Sequence, residues 1–156
     1  MEQKKSYQMN ISAPNLITVC IDNTENGEIS GRFYHCYKEE PVAFANVVEL
    51  LTKAERLFDG ISFPQASTET RRFDTKKSEG TRKIYNVQRP KKSVEQTEII
   101  QYTGDIATFV VWVKFRQNAT WQGEAIWMEK GRKETFENTL ELIAQIDKTL
   151  QKEKKY

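Results

Sequence analysis

The feature that most constrains this chain is an internal correspondence: shifted by 92 positions, its two ends align without a gap. Val19, Asn26, Gly31 and Lys38 fall on Val111, Asn118, Gly123 and Lys130. Phe44, Asn46, Glu49 and Leu50 fall on Phe136, Asn138, Glu141 and Leu142. These are eight identities over the 44 pairs from Asn15/Ala107 to Phe58/Leu150. Chance gives roughly two or three at ordinary residue usage. Other pairs keep their character, among them Ile21/Val113, Val48/Leu140, Leu51/Ile143 and Glu55/Asp147. Shared binary patterning of two unrelated hairpin-helix segments is the competing explanation. Agreement of strand, turn and helix at one ungapped offset favours duplication.

Each copy has the pattern of a β-hairpin followed by an amphipathic helix. Residues Ile17 to Asp22 and Ile29 to Tyr37 are strand-like and flank an Asn26-Gly27 turn signal. Phe109 to Arg116 and Trp121 to Met128 form the second hairpin around Gln117-Asn118-Ala119-Thr120. Gly31 and Gly123, at matching places in the second strands, mark a bulge or a close backbone approach. Phe44, Val47, Val48, Leu51, Ala54 and Phe58 recur at helical spacing, as do Phe136, Leu140, Ile143 and Leu150. Pro41 suits the start of the first helix, Thr135 is the expected N-cap of the second, and Asp59-Gly60 the expected stop of the first. The expectation is one α+β domain over 1–156 with two pseudo-symmetric ββα-type repeats: an antiparallel sheet with two amphipathic helices. Repeat one is 15–60, a basic connector 61–106, and repeat two 107–151.

The connector changes character. Ser62 to Glu69 reads as loop. Between Arg71 and Lys92 nine basic residues face two acidic ones, a balance of +7 in a chain of net charge +2. Two strand-like runs, Lys83 to Gln88 and Glu98 to Thr103, are expected to add to the sheet beside the C-terminal hairpin. Arg71, Arg72, Lys76, Lys77, Arg82, Lys83 and Arg89, with Phe73 and Tyr85 as stacking faces, are candidates for a phosphate or acidic partner. The structural alternative is a solvated connector that keeps the chain soluble. Trp121 is the tenth candidate. It lies with Trp112 and Trp127 on the second hairpin, whose two faces are both apolar, so it serves either core packing or recognition.

Conventional catalytic signatures are missing. There is no Gly-rich phosphate loop and no His-x-x-x-His or Cys-x-x-Cys spacing. Two cysteines and one histidine supply neither a disulfide framework nor a zinc site. His35 and Cys36 are strand neighbours whose side chains point to opposite faces, so adjacency does not make them a couple. His35 with Cys20 across the hairpin is conceivable, but a partly buried histidine with a hydrogen-bonded ring fits better. No cofactor, metal or catalytic residue is expected, and the chain reads as a binding protein rather than an enzyme. No apolar run is long enough to cross a membrane and the N-terminus has no signal-peptide pattern, so a cytoplasmic location is expected.

The block Phe115-Arg116-Gln117-Asn118-Ala119-Thr120-Trp121-Gln122-Gly123 resembles small proteins carried by Gram-positive, Firmicutes-type bacteria and their conjugative elements and phages. So do Leu140-Glu141-Leu142-Ile143 and Phe63-Pro64-Gln65-Ala66-Ser67-Thr68. The likeness extends to the type II anti-CRISPR inhibitors, and it implies a small, non-enzymatic, cytoplasmic inhibitor of Cas9 or its guide complex. Many such inhibitors are strongly acidic, and this chain is not. The partner expected on this reading is a protein or ribonucleoprotein, with nucleic acid and homodimerisation as further possibilities. An alternative is a single-stranded nucleic-acid binder with sheet-helix repeats like those of PUR-repeat and Whirly proteins. A third is a nuclease or partner-dependent enzyme.

Overall fold

In the computed structural model, residues 13–64 and 91–154 are described. The first stretch runs β1 (Leu16–Asn23), β2 (Ser30–His35), β3 (Lys38–Phe44) and α1 (Val47–Ile61). The second runs α2 (Gln96–Ile99), β4 (Ala107–Phe115), β5 (Gln122–Trp127), β6 (Arg132–Phe136) and α3 (Thr139–Lys154). The protein is α+β, with one six-stranded antiparallel sheet in the order β3-β2-β1-β4-β5-β6.

Position in the sheet explains the character of each strand. β1 and β4 lie side by side at the centre, and Leu16 to Ile21 and Ala107 to Val111 are buried without a break. A strand covered on both faces needs a continuous apolar run rather than alternation. β3 and β6 are the edges, and their sequences, KEEPVAF and RKETF, are charged and mostly exposed. Charge and proline on an edge discourage pairing with a foreign strand. These third strands were not expected: each half is βββα, not ββα. Pro41 therefore lies in β3 rather than at a helix start, and Thr135 lies in β6 opposite Glu124.

The ladders of the two halves can be compared pair by pair. Thr18–Tyr34, Val19–Phe33, Cys20–Arg32 and Ile21–Gly31 are followed by an irregularity before Asn23–Ser30. Val110–Ile126, Val111–Ala125, Trp112–Glu124 and Val113–Gly123 are followed by the same irregularity before Phe115–Gln122. Gly31 and Gly123 are needed there because a Cβ would lie 2.0 Å from the carbonyl oxygens of Cys20 and Trp112 respectively. No side chain fits at that separation, and neither carbonyl can retreat without breaking the central sheet.

The helices start on asparagine. Asn46 Oδ1 accepts the Glu49 N–H at 2.9 Å, and Asn138 Oδ1 accepts the Glu141 N–H at 2.7 Å. In turn Glu49 accepts the Ala45 N–H and Glu141 the Glu137 N–H, so at each helix entry the glutamate also holds the residue before the cap. The expected N-cap at Thr135 is thus displaced to Asn138. α1 also passes through Gly60 to Ile61 and ends at Ser62, whose left-handed backbone (φ 53°) lets its N–H reach the Phe58 and Asp59 carbonyls.

Both helices cover the same face of the sheet. Ile17, Val19, Ile21, Phe33, Phe109, Val111 and Val113 meet Leu50, Ala54 and Phe58 of α1 and Leu142, Ile146 and Leu150 of α3 in the main core. The opposite face carries α2, whose Ile99 packs with Cys20, Tyr34 and Cys36. The run Glu98 to Thr103 is therefore helix and turn, not strand: Ile99 and Ile100 N–H groups bond back to Glu95 and Gln96. Chain crossing from β3 to β4 must pass over a face, because β4 pairs with the central strand rather than with an edge. Ser93 and Val94 N–H groups on the Cys36 carbonyl, and Gln96 Nε2 on the Ala13 carbonyl, hold that crossing down.

Candidate functional site

Six strands about 4.8 Å apart span roughly 24 Å between the outer axes, and two helices of about 10 Å diameter cover about 20 Å. α1 follows directly on the edge strand β3 and α3 on the edge strand β6, and the two helices share one core with the sheet. The uncovered strip between them is a groove of about 530 Å³. Its floor is the central pair, Ile17 and Val19 of β1 with Val111 of β4. One wall is Val47, Val48 and Leu51 of α1; the other is Leu140, Ile143 and Ala144 of α3. The rims are two large apolar side chains left in water, Val48 at 64% and Leu140 at 74% exposure. Scattered exposed apolar residues mean little, but two that border an apolar cleft of ligand size make it the candidate contact surface.

The groove also has a charge. Glu28, Glu49 and Asp147 line it, and among the described residues no lysine, arginine or histidine does. Lys53, bonded to Glu49 at 3.1 Å, holds that carboxyl below its ordinary range, helped by the Ala45 N–H. The Glu28 and Asp147 side chains belong to exposed residues. A carboxylate beside an apolar wall favours a cationic neighbour and opposes an anionic one.

One end of the groove is closed by the β4–β5 turn. Trp121 is buried there, its ring edge-on to Phe58 at 5.4 Å between centroids, and its Nε1 donates to Glu55. Arg116, only 3% exposed, donates to Glu55 at 2.9 Å, to Asp59 at 2.7 Å and to the Pro64 carbonyl at 2.6 Å. This fixes the end of α1 to the sheet. Thr120 and Thr139 join the start of α3 to the same turn through paired hydroxyls at 2.8 Å.

Of the residues the sequence singled out, Trp121 is a core side chain at the closed end of the groove. Arg71, Arg72, Phe73, Lys76, Lys77, Arg82, Lys83, Tyr85 and Arg89 lie outside the described residues, as does the strand-like run Lys83 to Gln88. The groove residues Val48 and Leu140 were read only as part of helical core stripes. A signal was present: Val47, Val48, Leu50 and Leu51 make four apolar positions in five, and Leu140, Leu142, Ile143 and Ala144 repeat this. That arc is wider than one buried stripe requires.

His35 and Cys20 do not meet. His35 lies on the helix-bearing side near Phe33, while Cys20 lies on the other with Tyr34 and Cys36. Burial, with Lys38 nearby, lowers the His35 pKa to about 4, and the neutral ring accepts the Tyr37 N–H on Nδ1 at 3.1 Å. Burial pushes the Cys20 thiol up to about 11, so it stays protonated and weakly nucleophilic at neutral pH. Among the described residues no group of three or more His, Cys, Asp or Glu side chains is placed to hold a metal ion. Nor is any described helix long and apolar enough to cross a membrane. Comparison of the chain with protein-family models, curated proteins and solved structures found no match.

Proposed function

We propose that this chain is a non-catalytic binding protein of inhibitor or adaptor type, formed by duplication of one sheet-and-helix unit, and that it engages a protein partner through the groove between α1 and α3. The observation that carries the reading is the pair of rim residues, Val48 and Leu140, exposed beside an apolar floor drawn from both halves. Duplication is supported by the two hairpin ladders, which agree pair for pair and in their irregularity at an offset of 92 residues. Under that reading Val48 and Leu140 are the same position of the ancestral unit, as are Val19 and Val111, and the groove exists only where two copies meet.

The sequence resemblance supports, as the partner we propose, a bacterial immune ribonucleoprotein of the Cas9 class. Single-stranded nucleic acid gains no support from the groove, whose carboxylates oppose a phosphate backbone. The test has two arms. A photo-crosslinking amino acid at position 48 or 140 is expected to trap one protein of discrete mass in the source bacterium. Purified chain is expected to inhibit guide-directed cleavage by Cas9, with Val48→Gln/Leu140→Gln inactive. Normal cleavage at large excess removes the Cas9 version; no protein adduct at either position removes the groove as the contact.

A further inference from the structure

We infer that the occupant of the groove is an amphipathic α-helix of the partner, apolar on the face that enters and basic along its flanks. The inference rests on the protein-binding role proposed above and specifies its chemistry.

Backbone hydrogen bonding selects a helix. The floor is the β1–β4 ladder and the walls are helices, so the groove offers a ligand backbone no free sheet edge. An extended peptide would lay its N–H and C=O groups against apolar side chains, unpaired. A helix satisfies those groups internally and presents only side chains. Such a helix brings one apolar stripe against the floor residues Val19 and Val111 and the rim residues Val48 and Leu140.

Charge selects the flanks. Among the described residues, all charged groups lining the groove are carboxylates, and Glu28 and Asp147 are exposed, where each can face a lysine or arginine. A fatty acid of the same apolar length would bring its own carboxylate against them.

The experiment is fluorescence anisotropy at 0.15 M salt with the full chain and synthetic peptides of about 18 residues, near the shortest length that holds a helix. One peptide carries leucine at helical spacing and lysine elsewhere; a second replaces lysine by glutamate; a third scrambles the first. The lysine helix is expected to bind at least about ten-fold more tightly than either other peptide, a difference of about 1.4 kcal/mol. Val48→Gln/Leu140→Gln, at exposed sites where folding is untouched, is expected to weaken it about ten-fold. Glu28→Lys/Asp147→Lys is expected to shift the preference to the glutamate helix. Equal binding of scrambled and periodic peptides, or no response to Val48→Gln/Leu140→Gln, overturns the inference. A partner that crosslinks at 48 and 140 through an extended segment also overturns it while leaving the protein-binding role intact. A fluorescent fatty acid that saturates the groove while every peptide stays inert overturns both. A dimer of this chain abolished by Leu140→Gln replaces the foreign helix by a second copy.

Discussion

The two ends of the groove are built on closely matching strand ladders and yet are held differently. At the β4–β5 end, Arg116 ties α1 to the sheet through Glu55 and Asp59, and the Thr120–Thr139 pair ties the start of α3 to the same turn. The corresponding places at the β1–β2 end are Thr24 for Arg116, Ile29 for Trp121, Glu28 for Thr120 and Val47 for Thr139. None of these can rebuild the clamp: Thr24 carries no charge, Ile29 no donor, and Val47 no hydroxyl. Asp147, in the place of Glu55, instead accepts from Gln151 of its own helix at 2.9 Å. The strand ladder therefore sets where the helices lie, and side chains at one turn set which end of the groove is fixed. The fixed end keeps the floor closed at Trp121; among the described residues the other end has no matching side-chain clamp.

The largest expected effect tests the shared part of this comparison. Gly31→Ala and Gly123→Ala drive a Cβ into a central carbonyl at the same ladder position, and each should cost about 3 kcal/mol or more. Urea unfolding of both variants checks it; a mild effect at one site and a severe one at the other would break the equivalence of the hairpins.

Arg116→Met tests the difference. It removes a buried cation from partly exposed carboxylates that water can still solvate, so the loss is about 2 to 3 kcal/mol rather than the full cost of stranding a buried charge. Thr24→Val, at the matching place, should change stability by less than about 0.5 kcal/mol. Hydrogen exchange should show the end of α1 released in Arg116→Met and unchanged in Thr24→Val. Similar losses in the two variants would deny the clamp.

Protonation of His35 sharpens the contrast further, since Trp127 stands in its place in the second half. Its pKa, lowered to about 4 by burial and then by Lys38, lies below that of the unfolded chain. The unfolded state binds the proton first, so stability is fully present above about pH 6.5 and is lost as pH falls towards 4. Between pH 7 and 4.5 the loss attributable to His35 should be about 2 kcal/mol, absent in His35→Asn, when the two unfolding curves are compared. An equal slope in both proteins would sink this assignment.

The smallest effect is at the helix entries. Asn46→Ala and Asn138→Ala remove matching caps, each worth about 1 kcal/mol in thermal or urea unfolding. Since the start of α3 has a second tie in Thr139, Asn138→Ala should cost slightly less than Asn46→Ala.

What could be read beforehand follows the strength of each local signal. The two hairpins and two long helices were legible because their apolar periods are strong and Asn26-Gly27 punctuates the first. β3 and β6 were not, because edge strands are selected to look polar: KEEPVAF and RKETF carry no alternation that distinguishes them from loop. The Glu98 to Thr103 run misled because a short apolar segment has the same composition whether it pairs with a strand or packs down on a sheet face. Of the candidate site, only Trp121 was named from the sequence, and for its aromatic character rather than its position.

By itself the sequence determined the elements whose instructions are local: β-branched runs for the central strands, glycine where two backbones close in, asparagine at each helix entry. It also carried the width of the apolar arc on both helices, without saying what that width was for. Only the tertiary structure decided that β1 and β4 lie side by side, that α1 and α3 cover the same face, and that Val48 and Leu140 border one apolar floor. Those outcomes depend on contacts between residues some ninety positions apart, where side-chain volume and sheet width decide what is covered, and no local pattern records that result.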